Sequence, residues 1–354
     1  MRKFTIDNLN IRCFKPLITP QQLKSEIPQT AEQAKVVASS RQTIQNILAG
    51  QDRRRIVITG PCSLHDADAA LEYARRLKKL QEEIADRVFL VMRTYFEKPR
   101  TTLGWKGILY DPRLDGSYDI ENGIRLSRRI LSDITSIGLP AATEFLDPIV
   151  PQYLSDYISW AAIGARTSES QIHRQMASGL SMPIGFKNAT DGNLEIALDG
   201  IKAALSSHSF LGIDRNGKVI IAETTGNKYG HLVMRGGTSG PNYTSEYVAF
   251  AEVLLRKAQI PNGIIIDCSH ANSHKNYKRQ RAVLFDIADQ IKSGNKSIVG
   301  IMLESFLKEG KQSIGAPGGL KFGISLTDSC IGWEETEELI RFFAEAVESA
   351  SLTH

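Results

Sequence analysis

Positively charged side chains cluster directly after an apolar run in the stretch VFLVMRTYFEKPRTT, residues 88–102. Arg93, Lys98 and Arg100 follow the run within eight positions. Arginine binds phosphate or carboxylate through a planar pair of donors, and lysine adds a point charge. The cluster therefore indicates a small-anion site, a nucleic-acid contact or a solvated surface, and the rest of the chain must distinguish these.

Four widely separated residues offer ligand atoms for a divalent metal ion. They are Cys62 in GPCSLHD, His270 in IDCSHANSHK, Glu304 in MLESFL and Asp328 in SLTDSCIGW. Mixed sulfur, nitrogen and oxygen donors suit Mn²⁺, Fe²⁺, Co²⁺ or Zn²⁺ better than Mg²⁺ or Ca²⁺. Each residue alone also has an ordinary interpretation, since a lone cysteine is often a buried small hydrophobe and a lone carboxylate is often solvated or ion-paired.

Eight short β-rich runs must position these residues. Their continuous apolar character is typical of strands covered on both faces. The runs span 55–60, 88–93, 140–145, 160–165, 183–188, 231–236, 263–268 and 297–303. Amphipathic segments with helical spacing lie between them. This alternation favours an α/β fold, a (β/α)₈ TIM barrel, with a doubly wound sheet as the alternative.

A charged or reactive residue lies at or just after the end of every predicted strand. In a barrel these positions face one rim, where active sites of this fold lie. The cations at or near that rim are Arg93, Lys98, Arg100, Arg166, Lys187 and Arg235, and Thr101 adds a hydroxyl group. Six converging cations would repel each other unless anions filled the cleft, so the pattern predicts a phosphorylated and carboxylated substrate.

Two segments fall outside the strand–helix repeat. Residues 1–45 precede the barrel, which we expect over 46–354, and they lead into a helical segment near 31–48. Residues 209–225 indicate a β-hairpin inserted between the fifth and sixth strands, because Asn216-Gly217 is a strong turn signal between two apolar runs.

Composition and charge narrow the class of protein. The chain has 354 residues, 42% of them hydrophobic, and a net charge of +4, which suits a globular protein and makes no general case for nucleic-acid binding. No apolar run approaches the roughly 20 residues of a membrane helix, and the N-terminus lacks the apolar stretch of a signal peptide. Four cysteines without a CxxC pair indicate reduced thiols and a cytoplasmic location. We therefore expect neither a nucleic-acid nor a membrane partner.

A family resemblance extends from about Phe14 to Ala346. It rests on GPCSLHD, MRTYFEKPRTTLGWKG, GARTSESQIHRQMASGLSMPIGFKN, MRGG, DCSHANS and LTDSCIGWE. These motifs resemble the type I 3-deoxy-D-arabino-heptulosonate 7-phosphate (DAHP) synthases. The resemblance implies a metal-dependent transferase that condenses phosphoenolpyruvate and erythrose 4-phosphate with water to DAHP and phosphate. That reaction is the first step of the shikimate pathway to chorismate and the aromatic amino acids.

The resemblance also assigns roles to the predicted site residues. The implied metal ligands are Cys62, His270, Glu304 and Asp328. The implied phosphoenolpyruvate pocket comprises Arg93, Lys98, Glu144, Arg166, Lys187 and Arg235. The implied erythrose 4-phosphate side comprises Lys98, Pro99, Arg100, Thr101 and Asp328. We hypothesise that Lys98 protonates the developing alkoxide or positions the bridging oxygen, and that Glu144 orients the attacking water.

Feedback inhibition by an aromatic amino acid is a further implication of the resemblance. In the family, the N-terminal extension and the hairpin build the inhibitor site at a subunit contact, which implies a homo-oligomer, a dimer of dimers. The corresponding positions are Asp147, Pro148, Gln152, Leu180, Ser181, Phe210, Gly212 and Ile221. Pro148 and Gly212 favour tyrosine over phenylalanine, since phenylalanine-sensing members tend to have serine at the latter position. A backbone requirement of the hairpin is the other explanation for Gly212.

Cys330 lies two residues past Asp328, which suggests a redox link. We hypothesise that oxidation joins Cys62 to Cys330 and inactivates the metal-free enzyme. The alternative is that Cys330 simply packs in the core. A disulfide requires the two Cα atoms to approach within about 7 Å.

Two other functions compete with this interpretation. A sister class of enzymes joins phosphoenolpyruvate to arabinose 5-phosphate on the same barrel and tends to carry Ala-Asn after the lysine. This chain has Pro99-Arg100 there, so KPRTT favours the four-carbon aldose. A non-catalytic sugar-phosphate binding protein would need no metal ligands.

Overall fold

The computed structural model describes residues 6–261, 263–315 and 319–353. Within these ranges eight parallel strands close into a barrel, and a separate pair forms a hairpin. In chain order the strands are β1 (Arg55–Gly60), β2 (Val88–Arg93), β3 (Ala141–Glu144), β4 (Ile158–Ile163), β5 (Ile184–Lys187), β6 (Ser209–Ile213), β7 (Val219–Glu223), β8 (Gly230–Met234), β9 (Ile264–Asp267) and β10 (Ile298–Glu304). All except β6 and β7 belong to the barrel. The predicted TIM barrel is confirmed, and the doubly wound alternative is wrong, because β10 pairs with β1 and closes the sheet.

Helices surround the barrel and precede it. They are α1 (Pro20–Glu26), α2 (Ala31–Leu48), α3 (Ala67–Ile84), α4 (Ile120–Ser136), α5 (Val150–Leu154), α6 (Gln171–Gly179), α7 (Glu195–Leu205), α8 (Ser245–Lys257), α9 (Gln280–Lys292) and α10 (Trp333–Thr353). Thr30 and Gln33 form a reciprocal capping box at the start of α2, and the Asp66 side chain caps α3. None of the described helices is both long enough and apolar enough to cross a membrane.

The observed strand bounds correct several predicted ones. The first two strands agree with the prediction at both ends, whereas β4 begins and ends two residues earlier than expected. The chain leaves the sheet at Gly164, whose carbonyl group accepts a turn hydrogen bond from Thr167 N–H at 2.9 Å. Arg166 therefore lies on the loop after β4 and not on the strand itself.

A hydrogen-bonded pair fills part of the barrel interior. Trp160 Nε1 donates to His231 Nε2 at 3.0 Å, and His231 Nδ1 lies 3.0 Å from Tyr229 O. Because the indole can only donate, the proton of the neutral imidazole must be on Nδ1. Ile44 and Ile47 of α2 belong to the same buried cluster, so the helix that precedes the barrel contributes to its core.

The extension and the hairpin contact the rest of the same chain. Strands β6 and β7 pair in antiparallel register, with Gly212 opposite Ile220. Gln21 N–H at the start of α1 donates to Arg215 O in the hairpin turn at 2.7 Å. Arg128 of α4 is buried, and its Nε donates to Ile27 O at 2.9 Å, which attaches the extension to the barrel.

His231 is expected to make the stability of the fold depend on pH. Burial lowers the pKa of His231 to about 4 from an ordinary 6.5, so the unfolded chain takes up this proton first as pH falls. The contribution of His231 to stability is therefore complete above pH 6.5 and is lost as pH drops toward 4. We expect His231→Gln to flatten this part of the profile of unfolding free energy against pH, measured by urea denaturation.

The buried Asn227 offers a control without a titrating side chain. Asn227→Ala should lower the unfolding free energy by a constant amount between pH 4 and 6.5, because an amide gains and loses no proton in that range. If His231→Gln left the profile of unfolding free energy against pH unaltered, His231 would not be the cause of the loss of stability between pH 6.5 and 4.

Candidate functional site

Three of the predicted metal ligands meet at the carboxyl end of the barrel. Cys62 Sγ and carboxylate oxygens of Glu304 and Asp328 all lie within 4.8 Å of one another. Cys62 follows β1 by two residues, and Glu304 ends β10, the neighbour of β1. Asp328 lies in the long segment after β10, with Oδ2 3.4 Å from Cys62 Sγ. Closure of the barrel thus joins donors from opposite ends of the sequence.

His270 is adjacent to this cluster without belonging to it. Its Nε2 atom is 3.7 Å from Glu304 Oε1, and its Nδ1 atom is 2.9 Å from Asp267 Oδ2. The φ angle of His270 is 54°, in the left-handed region that non-glycine residues seldom adopt. A carboxylate on one imidazole nitrogen orients the other nitrogen toward a metal ion, so this geometry suits a fourth ligand.

Charges around the cluster stabilise an ionised Glu304 and a neutral Cys62. Burial opposes the charge of Glu304, but His270 and Arg93 outweigh burial and lower the pKa of Glu304 to about 2. Burial, reinforced by Glu304, raises the pKa of the Cys62 thiol to about 11. A divalent cation would favour the thiolate, because thiols ligate in their deprotonated form. Sulfur, carboxylate and imidazole donors in one place fit a transition ion.

Two of the predicted anion-binding residues contact the cluster directly. Arg93 is buried, and its Nη2 atom donates to Glu304 Oε1 at 3.0 Å and to Cys62 O at 3.1 Å. Lys98 Nζ lies 3.1 Å from both Cys62 O and Cys62 Sγ. The Arg93 guanidinium also stacks over the Tyr95 ring, 3.6 Å from its centroid. Cations and ligand atoms therefore share one site, buried at Cys62, Glu304 and Arg93 and exposed at Asp328.

Lys187, at the end of β5, is buried between two carboxylates. Its Nζ atom is 3.4 Å from Asp267 Oδ2 and 3.9 Å from Glu144 Oε2. A Cβ atom at Gly164 would lie 2.3 Å from Glu144 Oε1, so the glycine leaves the room that this carboxylate occupies. Protein carboxylates therefore already offset part of the positive charge, at Lys187 and also at Arg93, which pairs with Glu304. The predicted phosphorylated and carboxylated substrate stays an expectation for the remaining cations.

The remaining predicted substrate residues lie on the exposed side of the rim. Arg235 is half-buried, while Arg166 and Arg100 are exposed. Arg166 Nε donates to Thr101 Oγ1 at 3.3 Å, and Arg100 Nε donates to Trp105 O at 2.8 Å. The guanidinium of Arg100 is thus turned toward its own loop instead of toward the ligand cluster.

The predicted inhibitor positions fall in three segments that α6 links. The segments are 147–152, 180–181 and 210–221. His173 of α6 lies with Nε2 2.7 Å from Leu146 O, next to the first segment. Ser178 of the same helix shares a hydrogen bond of 2.7 Å with Thr224, just past β7. One short helix therefore contacts the borders of the first and third segments, and the second follows its last residue.

Comparison with known families agrees with this geometry. The sequence model described as the DAHP synthetase I family matches residues 26–341. The chain belongs to the DAHP synthetase I family. The match includes α2, all eight barrel strands and the inserted hairpin, so it covers every residue assigned above to the predicted metal cluster and its cations. The resemblance read from the motifs is confirmed.

Curated relatives of this chain carry three different amino-acid sensitivities in their names. The chain is 50% identical over 342 residues to "Phospho-2-dehydro-3-deoxyheptonate aldolase, Tyr-sensitive" of Escherichia coli K12, covering 96% of each chain. It is also 50% identical to the Trp-sensitive and Phe-sensitive proteins of the same organism over 343 residues, covering 97% of this chain and 98% of each relative. The equal identities do not distinguish the three inhibitors.

A solved structure of phospho-2-dehydro-3-deoxyheptonate aldolase from Francisella tularensis SCHU S4 has the same fold. It is 48% identical, superposes with a TM-score of 0.94, and is matched over 96% of this chain and 99% of its own. The barrel with its extension and hairpin is therefore shared along nearly the full length.

Asp267 and Tyr95 contact predicted site residues, although neither was predicted itself. Asp267 lies against His270 and Lys187, and Tyr95 lies against Arg93. Burial opposes the charge of Asp267, but His270 and Lys187 hold the pKa of Asp267 well below its usual range. The Tyr95 ring lies beneath Arg93 and is 5.8 Å from Lys187 Nζ. Strand-end position was the only available signal for Asp267, and the partners that define both roles come from other strands.

Glu97 was also missed, and it connects the loop that carries Lys98 to the first segment of predicted inhibitor positions. Its buried carboxyl group accepts hydrogen bonds from Leu146 N–H at 3.3 Å, Asp147 N–H at 3.1 Å and the Tyr110 hydroxyl at 3.0 Å. Burial raises the pKa of Glu97 to about 8. Lys98, a predicted catalytic residue, directly follows Glu97 in the chain. Glu97 in turn accepts a hydrogen bond from Asp147, a predicted inhibitor residue.

The two cysteines of the redox hypothesis are buried and free. Cys62 and Cys330 form no disulfide in the described residues. Cys330 Sγ lies 3.6 Å from Asp328 O, so this thiol borders the ligand cluster. The disulfide itself stays a prediction.

Replacing Cys62 is expected to remove the sulfur ligand from a bound transition ion. Thiolate ligation to Co²⁺ produces a charge-transfer absorption in the near ultraviolet, so we expect this band when wild-type protein is titrated with Co²⁺. Cys62→Ser should abolish the band, whereas Cys13→Ser should keep it, because Cys13 is exposed and lies outside the cluster. Equal band intensity in Cys62→Ser and wild type would refute sulfur ligation.

Proposed function

We propose that this chain is a DAHP synthase, which condenses phosphoenolpyruvate and erythrose 4-phosphate with water to give DAHP and inorganic phosphate. One observation carries the proposal. Arg93 and Lys98 lie within 3.1 Å of atoms of the Cys62–Glu304–Asp328 cluster, so anion-binding and metal-binding groups occupy the same site. The names of the relatives agree with this activity.

A divalent ion, Mn²⁺, Fe²⁺, Co²⁺ or Zn²⁺, would be held by Cys62, Glu304 and Asp328, with His270 as the fourth ligand. When bound, such an ion supplies a Lewis acid for the aldehyde carbonyl. The protein's own contribution is the placement of these donors. Asp267 Oδ2 lies 2.9 Å from His270 Nδ1 and orients that ring. Arg93 balances the buried charge of Glu304.

Phosphoenolpyruvate carries a phosphate and a carboxylate, and five cations are proposed to bind it. They are Arg93, Lys98, Arg166, Lys187 and Arg235. Arginines match the paired oxygens of both groups. Lys187 is held in place by its two carboxylate neighbours, which preserves its position when the site is empty of substrate.

Residues of this chain also supply the proton chemistry in the proposed reaction. C3 of phosphoenolpyruvate attacks the aldehyde carbon, so that a C–C bond forms while the C2=C3 and C=O π bonds open, which leaves a positive charge at C2 and an alkoxide. Lys98 is the proposed donor of the proton that the alkoxide takes. Water then adds at C2, with Glu144 proposed to orient it, and the proton that this water loses restores the Lys98 ammonium group. The C2–O bond to phosphate finally breaks, the C2 hydroxyl proton leaves with inorganic phosphate, and the ketone of DAHP remains.

The loop after Lys98 is proposed to select the four-carbon aldose. Pro99 restricts the backbone there, and Arg100 with Thr101 would bind the second phosphate. Both side chains are exposed, as a group that meets an incoming substrate must be. Asp328 is exposed as well, so the aldose side of the cluster opens to solvent.

Phosphate release from phosphoenolpyruvate tests the proposed activity. We expect release with erythrose 4-phosphate, loss after metal chelation, and recovery with Mn²⁺ or Co²⁺. Lys98→Met should lower kcat by about 10²–10⁴-fold, and Glu144→Gln should lower kcat too, while Lys79→Met on the exposed face of α3 should match wild type.

Each alternative has its own signature in this assay. Turnover only with arabinose 5-phosphate would favour the sister class. Binding of phosphoenolpyruvate without turnover under any metal would favour a non-catalytic binding protein. A normal kcat with a raised KM in Lys98→Met would remove the proton-transfer role.

We further propose feedback inhibition by tyrosine, with residues 1–45 acting as a regulatory and oligomerisation extension. Apolar side chains are exposed on the extension, at Leu9 and Phe14, and on the hairpin, at Leu211 and Ile221. A second copy of the chain would cover such residues, which supports a homo-oligomer. A cytoplasmic location is proposed from the free thiols.

The geometry at Gly212 supports a specificity role over a backbone requirement. Its backbone lies outside the left-handed region, and a Cβ atom there would meet Ala222 Cβ and Ile220 Cδ1 at an ordinary 3.7 Å. Another residue would therefore fit the strand without strain. The missing side chain leaves space that a phenolic hydroxyl group would occupy in the proposed site.

Inhibition assays with the three aromatic amino acids test this proposal. We expect tyrosine to inhibit most strongly, and Gly212→Ser to weaken inhibition by tyrosine about tenfold relative to phenylalanine, because an added hydroxymethyl group takes up the space. Uninhibited kcat should stay at the wild-type value, since the hairpin lies outside the barrel. Stronger inhibition of the wild type by phenylalanine would reverse the assignment.

A further inference from the structure

Three buried asparagines surround the two residues that follow β8. Asn188 comes directly after β5, Asn242 lies in the loop after β8, and Asn272 lies in the loop after β9. Their exposed fractions are 0%, 5% and 1%. We call them the asparagine network. None of the three belongs to the predicted metal-binding or substrate-binding residues.

The network bonds the backbone of Arg235 and Gly236 from both sides. Asn188 Oδ1 accepts Arg235 N–H at 2.8 Å, and Asn188 Nδ2 donates to Gly236 O at 3.0 Å. Asn242 Oδ1 accepts Gly236 N–H at 2.8 Å. Arg235 O accepts the backbone N–H groups of Ala271 at 3.2 Å and Asn272 at 3.3 Å. All four polar backbone groups of this dipeptide are therefore fixed.

The three side chains also hold each other and two strand ends. Asn242 Nδ2 donates to Asn188 Oδ1 at 3.2 Å, and Asn242 N–H donates to Asn272 Oδ1 at 2.8 Å. Asn272 Nδ2 donates to Asp267 O at 2.9 Å and to Met234 O at 3.2 Å. The network thus ties the end of β8 to Asp267, whose carboxylate contacts other groups of the site.

The conformation at Gly236 leaves little freedom for this dipeptide. Its φ is 68°, and a Cβ atom there would lie 2.8 Å from Asn272 N and 2.9 Å from Asn272 Oδ1. The Arg235 guanidinium, in contrast, makes one hydrogen bond within the described residues, from Nη1 to Gly236 O at 3.4 Å. The backbone is held tightly, while most guanidinium donors have no hydrogen-bond acceptor in the part of the chain that the structure describes.

We propose that the asparagine network positions Arg235 for the anionic groups of phosphoenolpyruvate, with Asn242 as a positioning residue at its centre. The inference rests on the proposed function. Amides suit this task because each supplies a donor and an acceptor without a charge. A carboxylate in the same place would attract the guanidinium and repel the anionic substrate. An ammonium or guanidinium group there would repel Arg235.

Asn242→Ala is the direct test, because it leaves Gly236 N–H without its acceptor in a buried place. We expect the KM for phosphoenolpyruvate to rise about tenfold or more, with kcat and the KM for erythrose 4-phosphate within about threefold of wild type. Asn242→Asp keeps the shape and the acceptor but faces Asn188 Oδ1 with a second acceptor. It should raise the same KM, and it provides the answer if the alanine variant does not fold.

Asn227 offers a matched control. It is also buried, and its Nδ2 atom donates to Leu180 O at 3.0 Å and Met182 O at 2.9 Å, before β8 begins. Asn227→Ala should lower Tm while leaving the uninhibited KM for phosphoenolpyruvate unchanged. If this KM rose equally in Asn227→Ala and Asn242→Ala, the effect would come from a general loss of stability and not from the positioning of Arg235. That result would overturn the inference.

A double substitution separates positioning of Arg235 from other effects. If Asn242 acts through Arg235, then adding Asn242→Ala to an Arg235→Ala protein should raise the KM for phosphoenolpyruvate by less than about twofold. If the fold increase of this KM in the double variant equalled the product of the increases in the two single variants, Asn242 would act independently of Arg235, and the inference would be overturned.

Inorganic phosphate binding distinguishes failure of the inference from failure of the proposed function. If the wild type released no phosphate from phosphoenolpyruvate and either aldose, the proposed function would be wrong, and calorimetric titration with inorganic phosphate would still test the network. We expect about tenfold weaker phosphate binding by Asn242→Ala than by wild type. Equal affinities would overturn the positioning role whatever the reaction.

Discussion

Parallel pairing of β10 with β1 is the constraint on which the rest of the site depends. It sets Gly60 opposite Glu304, so the loop that carries Cys62 begins beside the last residue of the final barrel strand. Arg93, at the end of β2, then reaches across β1 to Glu304 at 3.0 Å. Removing one partner of such a buried ion pair typically costs about 3–5 kcal/mol. The proposed metal ligands and Arg93, a proposed anion-binding residue, therefore depend on the same strand contacts.

Charge balance explains how so many cations share one end of the barrel. Lys187 is offset by Asp267 and Glu144, and Arg93 is offset by Glu304. These carboxylates hold the cations in defined positions, and they leave the half-buried or exposed arginines as the groups most available to a substrate. Electrostatic preorganisation of this kind avoids rearrangement when charge develops in a reaction.

Rigidity is distributed unevenly around the rim. After β8, the side-chain amides of Asn188 and Asn242 and two backbone N–H groups of the loop after β9 fix the backbone at Arg235 and Gly236. On the other side, Arg100 and Thr101 are exposed, and Glu97 of the same loop is hydrogen-bonded to Asp147, one of the predicted inhibitor positions. The proposed phosphoenolpyruvate side thus has a fixed framework, and hydrogen bonds connect the proposed aldose side to the predicted inhibitor positions.

The sequence by itself determined the eight strands, the class of the fold, the family motifs and the residue types of the metal cluster, because apolar periodicity and contiguous motifs are local properties. It also indicated which charged residues end which strand. Only the tertiary structure decided the contacts of Asp267, Glu97 and the asparagine network, and only it revealed that Lys187 already has carboxylate partners. Those contacts join strand ends and loops that are distant in the chain, and local periodicity carries no information about which distant side chain will be the partner.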